Sequence, residues 1–458
     1  MVKDLSFRLI IVNLKTCVMD LTSDIEANKL FVITDYDKIS AEYRTVLDEA
    51  CYGIFYYWDS AKNICFPIKF KREKYHKESM IYFILKNYIP NTAPTNRILS
   101  YLETFENEGV AVTVYYLLPG KQMEVINRKY KNIKIEYCWR YYTHKNKLSK
   151  LLIFFISLYK IRRIFKSGDI VYTYGVNAIM KHLLGQDGVR YFAERTEHPD
   201  VTAKESWPFY ITKESSIAIY KKLDGLFVIS TSLKEYFVSI GVKSEKVHII
   251  NMTVDVKRFA NVKKQVVEER YIAYCGTASN NKDGVDELIK AFGIVAGVIE
   301  DVKLYIIGKT PSKNDQSNNI ALIDQLKLKD RIVFTGVVSA HKMPQLLKNS
   351  EVLALDRPDS LQAKCGFPTK LGEYLLTKNP VVVTKVGDIP RFLKDGVSAL
   401  LSEQCNPDDF SSKLIWALTH PKDAAIIGEN GAKVALREFN SEIETKKIIS
   451  IFYSSIVC

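Results

Sequence analysis

A chain of 458 residues is long enough for two or three domains with large cores, and its apolar and charged fractions, 47% and 26%, are those of an ordinary soluble globular protein. The formal charge of +13 favours anionic company, whether nucleotide, nucleic acid or an anionic bilayer, and does not choose among them. Eight cysteines, at 17, 51, 65, 138, 275, 365, 405 and 458, show no Cys-x-x-Cys spacing and follow no secretory signal, so they read as free thiols in a reducing compartment rather than a disulfide framework. Polar and acidic residues close to Met1 argue against a signal peptide and for a cytoplasmic protein.

Residues 1–79 offer a strand at Leu30 to Thr34, a helix around Ala41 to Ala50 and an aromatic run from Tyr52 to Trp58. They end in a charged stretch, Lys69 to Glu78, of the kind that makes a solvated linker. They match the pattern of the remaining chain poorly and are expected to be an appended piece of unknown role; a true start at Met80 is the alternative. From Met80 short apolar strands alternate with amphipathic stretches of helical length. Strands are predicted at 80–85, 110–117, 132–137, 169–174, 189–194, 225–229 and 246–250, with helices most clearly at 95–107, 148–166 and 231–239. Such alternation predicts an α/β fold in which a parallel sheet carries helices on both faces.

Within this first series, Asn91, Thr92 and Asn96 flank Pro94 after the first strand, where they can cap the following helix. Residues 128–166 mix Lys, Arg, Trp and Tyr around the apolar block Leu151 to Tyr159, which is far short of the roughly 20 residues that would span a membrane. A helix with cations at its ends and Phe154-Phe155 on its body suits the headgroup zone of an anionic membrane; the alternative is an ordinary helix packed on the first sheet with snorkelling lysines. No nucleic-acid motif accompanies the charge. Glu197 and His198 follow the predicted strand at 189–194.

A second series begins after Asn251 to Phe259, with strands at 271–275, 303–307, 331–334, 352–355, 381–384 and 399–401. Two doubly wound domains are therefore expected, at 80–255 and 256–425, with C-terminal helices at 426–458 packing back on the first. Sheets of this kind bind ligands at the carboxyl ends of their strands, so the gap between two facing domains is the natural site.

Chemistry is densest from Cys365 to Thr384, CGFPTKLGEYLLTKNPVVVT. Gly366 and Pro368 predict a helix opening here, with its free N–H groups bunched at an end that attracts phosphate. Leu371 and Leu375 share the buried face, while Thr369, Lys370 and Glu373 fall together on another. Asn379-Pro380 must stop the helix, and Val381 to Thr384 reads as a buried parallel strand. An anion site beside a carboxylate able to accept ribose hydroxyls points to a nucleoside diphosphate.

The second domain resembles the retaining glycosyltransferases of family 4, within glycosyl transferases group 1, which have the GT-B architecture of two facing Rossmann-like domains. The likeness is carried by YCGTASNNKDGVDELIKAF at Tyr274 to Phe292, by Leu304 to Gly308, Val333 to Gly336, Gly366 to Val383 and Asp395 to Leu401, in order and spacing over about residues 80–450. The resemblance implies that Glu373 binds the ribose of a sugar nucleotide. It implies too that Lys282, with an arginine, neutralises the diphosphate as it leaves, which is electrostatic catalysis. Lys370, Thr369, Gly366, Phe367, Gly276 and Thr277 join the implied donor site, with Gly336 and Val337 offering backbone contacts to the base. Glu197 or His198 stands where the family places a histidine on the donor sugar, although a strand-end histidine is as readily a satisfied structural group. Asn91, Thr92 and Asn96 stand where the family has a glycine-rich loop near the donor phosphates and acceptor.

Two departures mark the chain. Cys365 occupies the position eight before Glu373 where the common signature has a second glutamate, and Thr277 follows Gly276 where an arginine is usual. Lys370, one turn from Glu373, is the candidate replacement for that charge. No histidine lies near Cys365 in sequence to make it a nucleophile. Phe-Pro-x-Lys-Leu-x-Glu-Tyr forms are found among polysaccharide-assembly members of the family. The implied activity is transfer of a sugar, with retention by front-face attack, to a glycan or lipid-linked acceptor in capsule, exopolysaccharide or lipopolysaccharide assembly. It needs no cofactor or metal, and Asp408-Asp409 reads as helix-capping acids. The expected place is the cytoplasmic side of a membrane, peripherally bound. A nucleotide-sugar epimerase of the same architecture and a catalytically degenerate scaffold are the competing readings.

Overall fold

The computed structural model describes residues 79–90, 92–118, 130–138, 147–175, 177–202 and 212–454, together with four short strands nearer the amino terminus. The chain divides into two compact units, Met1–Glu78 and Ser79–Cys458. In the first unit β1 (Ile10–Val12), β2 (Phe31–Thr34) and β3 (Phe55–Asp59) pair in parallel, and β4 (Ile64–Pro67) returns antiparallel to β3. Phe31–Thr34 of the strand expected at Leu30 to Thr34 and residues 55–58 of the aromatic run are thus both in this sheet, while the rest of that run and the helix expected around Ala41 to Ala50 lie outside the described residues.

The second unit holds two parallel sheets. β5 (Ile81–Leu85), β6 (Val112–Tyr116), β7 (Ile133–Tyr137), β8 (Ile170–Tyr174), β9 (Arg190–Arg195), β10 (Gly225–Val228) and β11 (Val247–Ile249) form one, in the order β11-β10-β9-β8-β5-β6-β7. The other contains β12 (Arg270–Cys275), β13 (Val302–Ile307), β14 (Ile332–Gly336), β15 (Val352–Leu355), β16 (Val381–Thr384) and β17 (Leu400–Ser402), in the order β14-β13-β12-β15-β16-β17. These thirteen strands lie where the apolar runs predicted them. Runs such as Ile81–Leu85 and Val381–Thr384 are buried throughout because helices cover both faces, which is why they are continuous rather than alternating.

Strand order reverses beside β5 in the first sheet and between β12 and β15 in the second. Loops leaving neighbouring strands diverge at such points and open a crevice. The loops after β12 and β15, Gly276 to Gly284 and Asp356 to Ser360, therefore stand on either side of one opening.

The chain crosses between the sheets near Asn251 and crosses back near Asn440, and the two passes lie side by side: Val254 N–H donates to the Phe439 carbonyl at 2.9 Å. Of the C-terminal helices, Pro421–Glu438 stays with the second sheet, where Gly428 and Gly431 let it approach the backbone at 378–379 and 398. Ser441–Ser454 is the one that returns, packing against Ala93–Asn107 and placing the Phe452 ring among Phe105, Tyr172 and Phe192.

Candidate active site

The helix of the Cys365 stretch is two pieces. Leu361–Cys365 ends at Gly366, and Thr369–Leu376 begins after Pro368, which caps rather than enters it. Leu371 and Leu375 are buried as their spacing predicts, and the Tyr374 hydroxyl accepts from the Cys275 N–H at 2.5 Å, fixing the helix against the end of β12. The helix therefore presents its first turn, with Thr369 half-buried, at the crevice.

Three glycines end adjacent strands and make the crevice floor. Gly276, Gly308 and Gly336 follow or close β12, β13 and β14, with Gly276 N–H bonded to the Ile307 carbonyl and Gly308 N–H to that of Gly336. A Cβ on Gly308 would lie 2.1 Å from the Gly276 carbonyl oxygen, so the floor can only be backbone. Val337 next to it is exposed and carries no polar side chain.

Lys370 does not supply a free positive charge. Its ammonium lies 2.5 Å from Asp283 Oδ2, in a buried pair, and donates also to the Tyr274 hydroxyl at 3.2 Å. Burial alone would raise the Asp283 carboxyl; the Lys370 ammonium and hydrogen bonds from Lys370 and Tyr274 hold it below the usual carboxylate range. Burial lowers the Lys370 ammonium's pKa and Asp283 opposes that fall, and Lys370 is spent on closing the Gly276 to Gly284 loop.

Glu373 lies one turn further on the same helix, 24% exposed. Arg258 donates to its Oε1 and, through Nη2, to the Ala340 carbonyl at 3.2 Å, tying the helix to the loop after β14. Burial pushes the Glu373 carboxyl up, and Arg258 opposes that. Sequence reasoning missed Arg258, which sits in a short 3-10 turn at Val256–Arg258 with no motif around it.

Lys282, 48% exposed, places its ammonium 3.4 Å from Glu197 Oε1, and the Gln362 amide donates to Glu197 Oε2 at 3.1 Å. Glu197 follows β9, so this trio joins groups from both sheets over one crevice, with Gly366 alongside. Arg357, after β15, is buried nearby and bonds the Gln362 carbonyl at 3.4 Å; burial lowers its pKa, and Asp283 and Glu197 oppose the fall.

Several predicted residues are placed elsewhere. His198 is buried against the Tyr236 ring, 4.1 Å between centroids, and its Nδ1 accepts from the Asp200 N–H at 3.2 Å, which is the structural alternative. Phe367 turns its ring into a cluster with Phe392 and Phe439, so only its backbone can face a donor. Cys365 is buried, its carbonyl accepts from the Ser230 hydroxyl, and burial pushes its thiol up, away from nucleophilic use. Thr277 is exposed, and its carbonyl accepts from Ser279 N–H. Thr92 occupies the N-cap position but makes no side-chain cap: its hydroxyl faces the Ile89 carbonyl and Thr95. Asn96 is exposed on the first turn, and Asn91 lies outside the described residues. Among the described residues no group of three or more His, Cys, Asp or Glu is placed to hold a metal ion.

This two-sheet arrangement matches solved glycosyltransferase structures. A structure of Anabaena Alr3699/HepE in complex with UDP and glucose aligns over 82% of this chain and 100% of that one, with a TM-score of 0.64 and 14% identity. The lipopolysaccharide outer core galactosyltransferase WaaB aligns over 82% and 99%, with a TM-score of 0.60 and 19% identity. The fold is GT-B. Residues 255–434, the second GT-B half, match the family model described as glycosyl transferases group 1. In sequence the chain is 24% identical over 232 residues to an MMP alpha-(1->4)-mannosyltransferase of Mycolicibacterium hassiacum, covering 50% of this chain and 54% of the relative. It is 20% identical over 254 residues to an uncharacterized glycosyltransferase of Methanocaldococcus jannaschii, covering 54% and 63%. The chain thus spans between half and two thirds of these two relatives, and of the candidate residues Lys282 and Glu197 are the pair that meets across the two sheets.

Proposed function

We propose that this protein transfers a sugar from a nucleoside diphosphate to a glycan or lipid-linked acceptor, with retention, in cell-surface polysaccharide assembly. The observation that carries the reading is the meeting of Lys282 and Gln362 with Glu197 across the two sheets, beside Gly366. A donor lying there has Glu373 within a helical turn of the phosphate-attracting helix start, and Lys282 at the side from which the diphosphate departs. Lys282 stabilises the charge that grows on the leaving group as the glycosidic C–O bond breaks. Lys370, already neutralised by Asp283, holds the loop in place and adds little net charge. The similar HepE structures hold UDP and UDP-glucose, and a UDP-sugar is accordingly the first donor to try. Retention, membership of family 4 and metal independence follow from the sequence resemblance.

A lipid-linked acceptor gives meaning to the Lys147–Arg162 helix. Phe154, Leu158 and Ile161 bury one face, while Leu152, Phe155 and Tyr159 form an exposed apolar stripe on the other, flanked by exposed Arg162, Arg163 and Lys166. An amphipathic surface of this kind suits the anionic cytoplasmic face of a membrane. No helix among the described residues is long and apolar enough to cross one.

The test is release of UDP from UDP-sugars in the presence of candidate acceptors. Glu373→Gln and Lys282→Ala are each expected to lower kcat/KM by on the order of 100-fold or more with the fold intact. Normal turnover in both variants would remove the site. Donor conversion without acceptor would mark an epimerase instead.

A further inference from the structure

A cavity of about 280 Å³ opens at the carboxyl ends of β13 and β14, lined by Gly308, Thr310, Gln316, Asn319, Phe334 and Gly336 among others. Asn319, in the Lys313–Gln325 helix, is 1% exposed, yet neither its amide nitrogen nor its oxygen has a hydrogen-bond partner. Native proteins pair nearly all such groups, because a buried amide that leaves water without a replacement bond costs free energy. The cavity is many times the ~30 Å³ share of a single water molecule. Its walls include Phe334 and Ile320, both about half exposed, and its mouth adjoins the side-chain-free floor of Gly308 and Gly336. A ligand that suits all of this is flat, has apolar faces and carries a donor and an acceptor side by side on one edge.

We propose that Asn319 reads the edge of the donor's nucleobase. The amide N–H donates to a ring acceptor while the amide oxygen accepts from the neighbouring N–H, the side-by-side pairing by which asparagine reads a base. Arg258 ties Glu373, the ribose candidate, to the Ala340 carbonyl in the loop that leaves β14, the strand whose end forms part of the cavity wall. The inference rests on the donor reading and deepens it: specificity among bases comes from a side chain as well as from backbone groups.

The experiment is calorimetric titration of the full chain and of Asn319→Leu with UDP, GDP, ADP and inorganic pyrophosphate, alongside the Tm of each unliganded protein. The variant is expected to bind the preferred nucleotide at least tenfold more weakly, to lose most of the preference among bases and to bind pyrophosphate as before. Its unliganded Tm should not fall, because the replaced amide had no partner. A merely structural asparagine gives the opposite pattern, a lower Tm with base preference retained. If leucine prevents folding, Asn319→Ala carries the same expectation for affinity and preference. Unchanged affinity and preference overturns the role of Asn319 and leaves the donor reading standing; a wild-type chain that binds none of the three nucleotides overturns both.

Discussion

Glu373 and Arg258 stand 115 residues apart in the chain and meet at the mouth of the crevice. Arg258 changes what Glu373 can do, because a carboxyl pushed up by burial loses its charge as pH falls through its raised pKa, and with it the capacity the proposed ribose contact needs. Arg258→Ala removes the opposing charge and raises that pKa further. UDP affinity should then fall on the order of tenfold, and more at pH 6 than at pH 8, as titration at the two values would show. An equal loss at both would mean that Arg258 acts on the ligand directly. Lys370 teaches the complementary lesson: a lysine one turn from Glu373 looks available in sequence, but Asp283, brought in from the loop after β12, has claimed it.

The strand ends are where elements and chemistry meet, and Asp356, just after β15, is a carboxyl buried within reach of the charges of two others, Glu287 and Asp286. It is 1% exposed, and burial, then Glu287 and Asp286, push its pKa up to about 8. The folded protein therefore holds a proton on Asp356 that the unfolded chain gives up above about pH 4. The contribution of Asp356 to stability should therefore fall as pH rises from there towards about 8, by up to about 1.4 kcal/mol per pH unit, and level off above. Asp356→Asn should flatten this slope and make the protein more stable at pH 8, which urea unfolding at pH 5, 7 and 9 would measure. A parallel slope in the variant would place the proton elsewhere.

At the scale of the molecule, the crossing near Asn251 is held by a buried network. Arg97 donates to Glu194 at 2.6 Å and to the carbonyls of Ile250 and Asn251, and Glu444 from the returning helix accepts from Asn251 N–H. Tyr101 and Tyr172 complete the surroundings of Glu194. Arg97→Met strands a buried carboxylate and should cost about 3–5 kcal/mol in urea unfolding; a loss under 1 kcal/mol would mean that Glu194 finds another partner. At the outer surface, Leu152→Glu with Tyr159→Glu should abolish sedimentation with phosphatidylglycerol vesicles while leaving Tm unchanged. A wild-type chain that does not sediment with such vesicles would remove the membrane from the account.

The strands and the α/β class of the fold could be read from local pattern. Buried parallel strands must be continuous apolar runs, and Gly and Pro must punctuate them, so thirteen strands and the break at Asn379-Pro380 were legible without coordinates. Leu371 and Leu375 announced their buried face by spacing alone, because a helix repeats within one turn. Which side chains meet depends on strand order and loop packing instead. Arg258 with Glu373, Lys370 with Asp283, and Glu197 with Lys282 and Gln362 come together from separate strand ends, where no local periodicity relates one partner to the other. His198 and Phe367 show the same limit from the other side: their positions along the chain were right for a site, and packing against Tyr236 and against Phe392 and Phe439 turned their rings away. Strand periodicity is a property of neighbours in sequence, whereas a crevice is made by loops whose neighbours are set by strand order.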